Sequence, residues 1–94
     1  MQSISLESRL IANPQLMSSE VGSEIVTFDM VKEKYFGMNE VASRVFSLCD
    51  GNRSLAQISS MLAEEFDVQP EECETAVLEL SKEFLSKTLV TAIS

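Results

Sequence analysis

Apolar and polar residues mix or alternate over roughly the first 38 residues, then recur at three- and four-residue spacings. Strands are therefore expected first and helices afterwards. Residues 1–15 are mixed and Ser-rich, and Pro14 holds Asn13 extended, so they read as a lead-in segment. Leu16 to Val21 forms an extended piece stopped by Gly22-Ser23. Glu24 to Met30 supplies β-branched and aromatic residues, with Val26, Phe28 and Met30 on one face and the polar Thr27 and Asp29 on the other. That alternation predicts a strand. Residues Asp29 to Glu33 turn the chain, and Lys34-Tyr35-Phe36-Gly37-Met38 returns as the second arm of a hairpin.

The period then becomes helical. Asn39 is a good N-cap, and Val41, Ala42, Val45, Phe46, Leu48 and Cys49 follow at helical spacing. Asp50-Gly51-Asn52 ends this helix, with Gly51 suited to a left-handed terminus. Ser54-Leu55-Ala56-Gln57 fits a capping box, opening a second helix with Leu55, Ile58, Leu62 and Phe66 as its buried stripe. Pro70, Glu71 and Glu72 suit the first turn of a third helix running to about Lys87, after which Leu89-Val90 closes the domain. The predicted class is α+β, with three short antiparallel strands followed by three helices, an architecture like a winged helix-turn-helix.

The third helix carries two apolar stripes. Cys73, Ala76, Val77, Leu80 and Phe84 share one, while Leu78, Leu85 and Leu89 lie roughly 140° round the axis. A helix packed on one side needs an arc of about 100° or a little more. Such breadth suits either a helix sandwiched between layers or one with a strip kept for a partner.

Composition narrows the function. The chain has 94 residues, Lys+Arg 7 against Asp+Glu 15, and a net charge of −8. That length suits one domain, residues 1–94, with little apolar surface to spare for a large catalytic cavity. Histidine is absent, which removes the commonest general base and zinc ligand. Cys49 and Cys73 fall at apolar helix positions and read as small core residues. Glycines 22, 37 and 51 are too isolated to cradle phosphate, and Glu71-Glu72-Cys73-Glu74 reads as a solvated helix start. No catalytic constellation or cofactor is expected. No membrane span or signal peptide is visible, so the cytoplasm is the expected location.

The rival reading is a winged-helix DNA-binding regulator. The second helix would offer Gln57, Ser59, Ser60, Glu64 and Glu65 to a groove, and the third Thr75, Glu79, Lys82 and Glu83. Neither set suits a polyanion, so no nucleic-acid partner is expected.

The run from Lys34 to Phe46, followed by Leu48-Cys49-Asp50-Gly51, resembles the PqqD-like family, whose members are recognition elements for ribosomally made, post-translationally modified peptides. Tyr35, Asn39, Leu48, Asp50 and Gly51 match the family pattern, and Met38, Val45 and Phe46 are conservative replacements. Asn13-Pro14 resembles its lead-in and Phe66-Asp67-Val68 its helix junction, so the likeness covers about residues 13–90. Two positions depart from the pattern: Ala42 stands where Gly is frequent, and Thr88 stands where the closing G-L-V has its Gly.

The resemblance implies that a leader peptide adds as a strand to the edge of Lys34–Met38, in a groove between that strand and the third helix. On that basis Lys34, Tyr35, Phe36 and Gly37 are candidate contacts, one of Tyr35 and Phe36 being core and the other nearer the ligand. Val77, Leu80, Ser81 and Phe84 are the candidates on the helix, with Lys34 available to a leader carboxylate. Apolar anchors should dominate, so salt should change binding only modestly. The implied partners are a precursor leader and a separate processing enzyme. A lasso-peptide leader peptidase is expected first, and a radical enzyme of pyrroloquinoline quinone or a related pathway second. The chain is expected to be a monomer, with an adaptor that dimerises through its free sheet edge as the other possibility.

Overall fold

The computed structural model describes residues 3–93. In chain order the elements are β1 (Arg9–Ala12), β2 (Leu16–Val21), β3 (Glu24–Asp29), β4 (Lys34–Met38), α1 (Glu40–Leu48), β5 (Asp50–Ser54), α2 (Leu55–Phe66), α3 (Pro70–Ser86) and β6 (Val90–Ile93). The antiparallel sheet β2-β3-β4 and the three helices are those the pattern predicts. A second sheet, in the order β5-β1-β6, is not.

That second sheet corrects three expectations. The lead-in contains a strand, β1, which lies centrally between β5 and β6, with Leu10 fully buried. Gly51 has φ +83° as expected, but it sits inside β5, and Cys49 is the C-cap of α1. Residues after Leu89 continue as β6, whose Thr91 faces Ile11 and whose Ile93 faces Arg9.

Local chemistry fixes the helix starts. The Asn39 side chain accepts from the Ala42 amide at 2.8 Å. Ser54 and Gln57 form the expected capping box, and the next two amides of α2, Leu55 and Ala56, donate to the carbonyls of Ser8 and Leu6. The free N–H groups of that helix end are therefore satisfied by its own cap and by the segment leading into β1. Pro70 occupies the first turn of α3, where its missing N–H costs nothing.

The face of β3 is reversed from the sequence reading. Ile25, Thr27 and Asp29 are buried, Val26 and Phe28 are half-buried on the opposite face, and Met30 lies beyond the strand and is exposed. Polar residues can occupy the core side because each has partners. The Thr27 hydroxyl donates to the Phe36 carbonyl at 3.2 Å, and Asp29 Oδ1 accepts from the amides of Val31 and Lys32.

One apolar cluster joins the layers, drawing Ile25 and Met38 from the sheet, Val45 and Phe46 from α1, Ile58 and Leu62 from α2, and Val77 and Phe84 from α3. Leu78 and Leu85, from the second stripe of α3, pack against it, and Leu89 is buried within it. Among the described residues no helix is long and apolar enough to cross a membrane.

Candidate functional site

Among the described residues β4 pairs with β3 on one side only, leaving its other edge open. The main-chain direction along that edge follows from two side chains. Ser43 Oγ accepts from the Ile25 amide at 2.8 Å and donates to the Met38 carbonyl at 3.1 Å, bridging the end of the β3–β4 ladder. Thr27 likewise donates to the Phe36 carbonyl. Phe36 and Met38 thus turn their main-chain groups towards β3, and by antiparallel alternation Tyr35 and Gly37 turn theirs to the open edge.

Side chains alternate in the other sense. Tyr35 points to the outer face of the sheet, where its ring lies 4.7 Å from that of Phe28, centroid to centroid, and is 75% exposed. Phe36 points inward and packs against the core. Of the two aromatics, Phe36 is therefore the one on the helix side of β4. Gly37 shares the outer face with Tyr35, and a Cβ added there would meet nothing within 4 Å.

Beside the open edge lies a cleft of about 330 Å³, bounded by Lys32, Lys34 and Phe36 on the hairpin and by Lys87 and Leu89 beyond α3. The Lys87 ammonium stands 4.7 Å from the Phe36 ring centroid, a cation–π contact. Lys32 Nζ donates to Thr88 Oγ1 at 2.7 Å and so ties the β3–β4 turn to the end of α3. Thr88 itself has φ +56°. This left-handed conformation suits the glycine that the resemblance implies at that position and strains a β-branched residue.

The candidates on α3 are placed differently from the expectation. Ser81 and Phe84 are buried in the core, and Phe84 packs edge-on against Phe46 of α1. Phe84 therefore lies in a packed helix–helix contact, and Ser81 Oγ has no hydrogen-bond partner among the described residues. Val77 and Leu80 line another hollow, a nearly apolar one of about 450 Å³ between the helices, with Val41, Leu62 and Phe66. The structure brings Lys34, Tyr35 and Phe36 together at one cleft and leaves the four helix residues outside it. Lys87 was missed because a lysine ending a helix looks like any solvated charge.

Neither cysteine is placed for chemistry. Both are buried and free. Burial first, and the Asp50 charge second, push the Cys49 thiol up to about 12. The exposed Asp50 carboxyl is held below its usual value chiefly by the Asn52 amide, with the Arg53 amide and guanidinium adding to the effect. On α2 the residues offered to a groove include Ser59, which is in fact buried beneath Cys73, whose thiol donates to its carbonyl at 3.3 Å.

The sequence profile of coenzyme PQQ synthesis protein D (PqqD) matches residues 24–90, which run from β3 through β4 and all three helices to the start of β6. The chain belongs to the PqqD family. Among curated relatives, a PqqA binding protein of Xanthomonas campestris pv. campestris (strain 8004) is 38% identical over 61 residues, covering 65% of this chain and 66% of that protein. A PqqA binding protein of Xanthomonas oryzae pv. oryzae (strain PXO99A) gives the same identity and coverage. The chain thus spans just under two thirds of the length of these relatives. Among solved structures, TbiB1 in complex with the TbiA(beta) leader peptide superposes with a TM-score of 0.81 at 20% identity, covering 89% of this chain and 98% of that one. Lasso peptide synthetase B1 complexed with the leader peptide superposes at 0.76 and 16% identity, covering 92% and 99%. This PqqD-family chain therefore shares their fold across nearly their whole length.

Proposed function

We propose that this protein binds the leader segment of a ribosomally made precursor peptide and delivers it to a separate processing enzyme, without catalysing a reaction itself. Residues 1–94 act as one recognition domain in the cytoplasm. The leader adds as a strand to β4, with the main-chain groups of Tyr35 and Gly37 supplying register and the cleft beside Phe36 receiving side chains. The observation that carries this reading is the open edge of β4, set beside a cleft in a member of the PqqD family. The names of its relatives add support, since the Xanthomonas proteins are called PqqA binding proteins and both fold neighbours are complexes with leader peptides.

The enzyme served is a lasso-peptide leader peptidase, a reading supported by the overlap with lasso peptide synthetase B1 over 99% of that chain. A radical enzyme of pyrroloquinoline quinone biosynthesis is the second reading, favoured by the 38% identity to PqqA binding proteins. A DNA-binding role has no such support, and Glu64, Glu65, Glu79 and Glu83 are exposed on the helices that would have to approach phosphate.

The test is a fluorescence-polarisation titration with three ligands: the leader half of the short reading frame beside the gene, its scrambled version, and a duplex DNA. Saturable binding to the true leader alone, with Kd near about 1 μM, is expected. Binding to DNA alone, or equal binding to both peptides, would overturn the reading. Adding the processing enzyme encoded nearby to the labelled complex should raise its polarisation, and the lasso and radical enzymes compared side by side decide the pathway.

A further inference from the structure

The chain carries seven Lys and Arg in all against fifteen Asp and Glu. Three of those seven, Lys32, Lys34 and Lys87, line the cleft between β4 and the end of α3. Two of the others are already engaged, Arg44 with Glu65 at 2.9 Å and Arg53 with Asp50 at 2.6 Å. The cleft also holds one carboxylate, Asp29, but its Oδ1 is committed to the Val31 and Lys32 amides of the turn. Lys87 reaches Glu83 only at 3.9 Å, with both side chains about half exposed, which is a weak pair. A cleft with three ammonium groups and one occupied carboxylate is therefore a positive spot on a chain of net charge −8.

Its position matters as much as its charge. A strand hydrogen-bonded to Tyr35 and Gly37 would send alternate side chains to the helix side of the sheet, where Lys34 and Phe36 point. Lys87 lies across the gap from them, over the Phe36 ring. The geometry points to a specificity pocket for one carboxylate of the bound peptide, held between Lys34 and Lys87 with its stem on the Phe36 ring. The overall negative charge repels a polyanion at long range, so the pocket suits a single acid delivered by main-chain pairing and not a phosphate backbone. The carboxylate comes from an Asp or Glu side chain or from a peptide C-terminus. This inference rests on the leader-binding reading and adds the chemistry that chooses among leaders.

The experiment is a coupling measurement by fluorescence polarisation on the full chain. The probe is the synthetic leader from the reading frame beside the gene, with each Asp and Glu changed singly to Asn or Gln, and with free and amidated C-termini. The protein is used as wild type and as the Lys34→Gln, Lys87→Gln double variant, with circular dichroism to show that the variant is folded. One acidic position, or the free C-terminus, should matter about tenfold to the wild type, as expected for a charge-assisted contact, and hardly at all to the double variant. Which probe loses affinity identifies the source of the carboxylate. If the leader binds but no acidic group shows that coupling, the pocket is overturned while leader binding stands. If the leader does not bind, both fall together.

Discussion

The ring of Phe84 meets that of Phe46 edge-on, with centroids 5.8 Å apart and planes at 83°, so the end of α3 is locked onto α1. Phe84 is 1% exposed. Truncating such a ring leaves a cavity, and Phe84→Ala should lower stability by about 3–5 kcal/mol. Phe84→Asp should leave the chain unfolded, since that loss and a buried charge together rival the whole stability of a small domain. Urea denaturation followed by circular dichroism checks both, and a folded Phe84→Asp protein would show that the ring is not part of the core.

The direction of the main chain along β4 makes proline a discriminating probe. At Phe36 the amide faces β3, so Phe36→Pro should break the ladder and destabilise the fold. At Gly37 the amide faces the open edge and there is room for side-chain atoms, so Gly37→Pro should remain folded and lose at least about tenfold in leader affinity. Thermal melts paired with the polarisation titration read the two effects separately. Undiminished leader binding by Gly37→Pro would rule out pairing at that amide.

Thr88 holds a left-handed backbone at φ +56° although it is β-branched. Thr88→Gly should relieve that strain and raise stability by about 1 kcal/mol, seen as a rise in Tm of several degrees. Its hydrogen bond from Lys32 is exposed and weighs little against this. Thr88→Ala serves as the control because it keeps a Cβ, and an equal gain from alanine would disprove the strain explanation.

Cys49 gives the protein an alkaline weakness. Its thiol is pushed up from 9.0 to about 12 by burial, with Asp50 adding to it. Below pH 9 both folded and unfolded chains keep the proton, and this group makes stability independent of pH. Between 9 and about 12 the unfolded chain sheds the proton while the folded one retains it, so stability falls as pH rises, by at most about 1.4 kcal/mol per unit. Urea midpoints measured across that window should fall more steeply for wild type than for Cys49→Ala. Parallel slopes would exclude the thiol as the cause.

The helices were legible because their signals are local. Asn39, the Ser54–Gln57 pair and Pro70 each announce a start through contacts within one turn. The second sheet was not legible, since β1 is four residues long and pairs with a strand more than seventy positions away. The composition of β5, Asp50-Gly51-Asn52-Arg53-Ser54, also resembles a turn more than a strand. The reversal of β3 has a related cause. Polarity suggested that Thr27 faces water, but its hydroxyl finds a carbonyl on the neighbouring strand, and Phe28 is covered by Tyr35 on the outer face. At the site, the strand could be read from its aromatic alternation, whereas depth along α3 could not. Helical period says that Val77, Leu80 and Phe84 share a stripe, and only packing says that the stripe is turned towards α1 and α2.

Arg9 and Ile93 are cross-strand partners in the β1–β6 ladder. In topological terms the fold nearly closes on itself there, the start of β1 and the end of β6 standing only about 5 Å apart across one rung of a sheet. The open edge of β4 belongs to the other sheet, away from that junction. A short linker joining the start of β1 to the end of β6, with the chain opened at the Gly22-Ser23 turn, would keep every strand and helix in place. The same adjacency lets the unit be spliced into a surface loop of a larger enzyme, entering and leaving at one point with the β4 edge still open to a peptide.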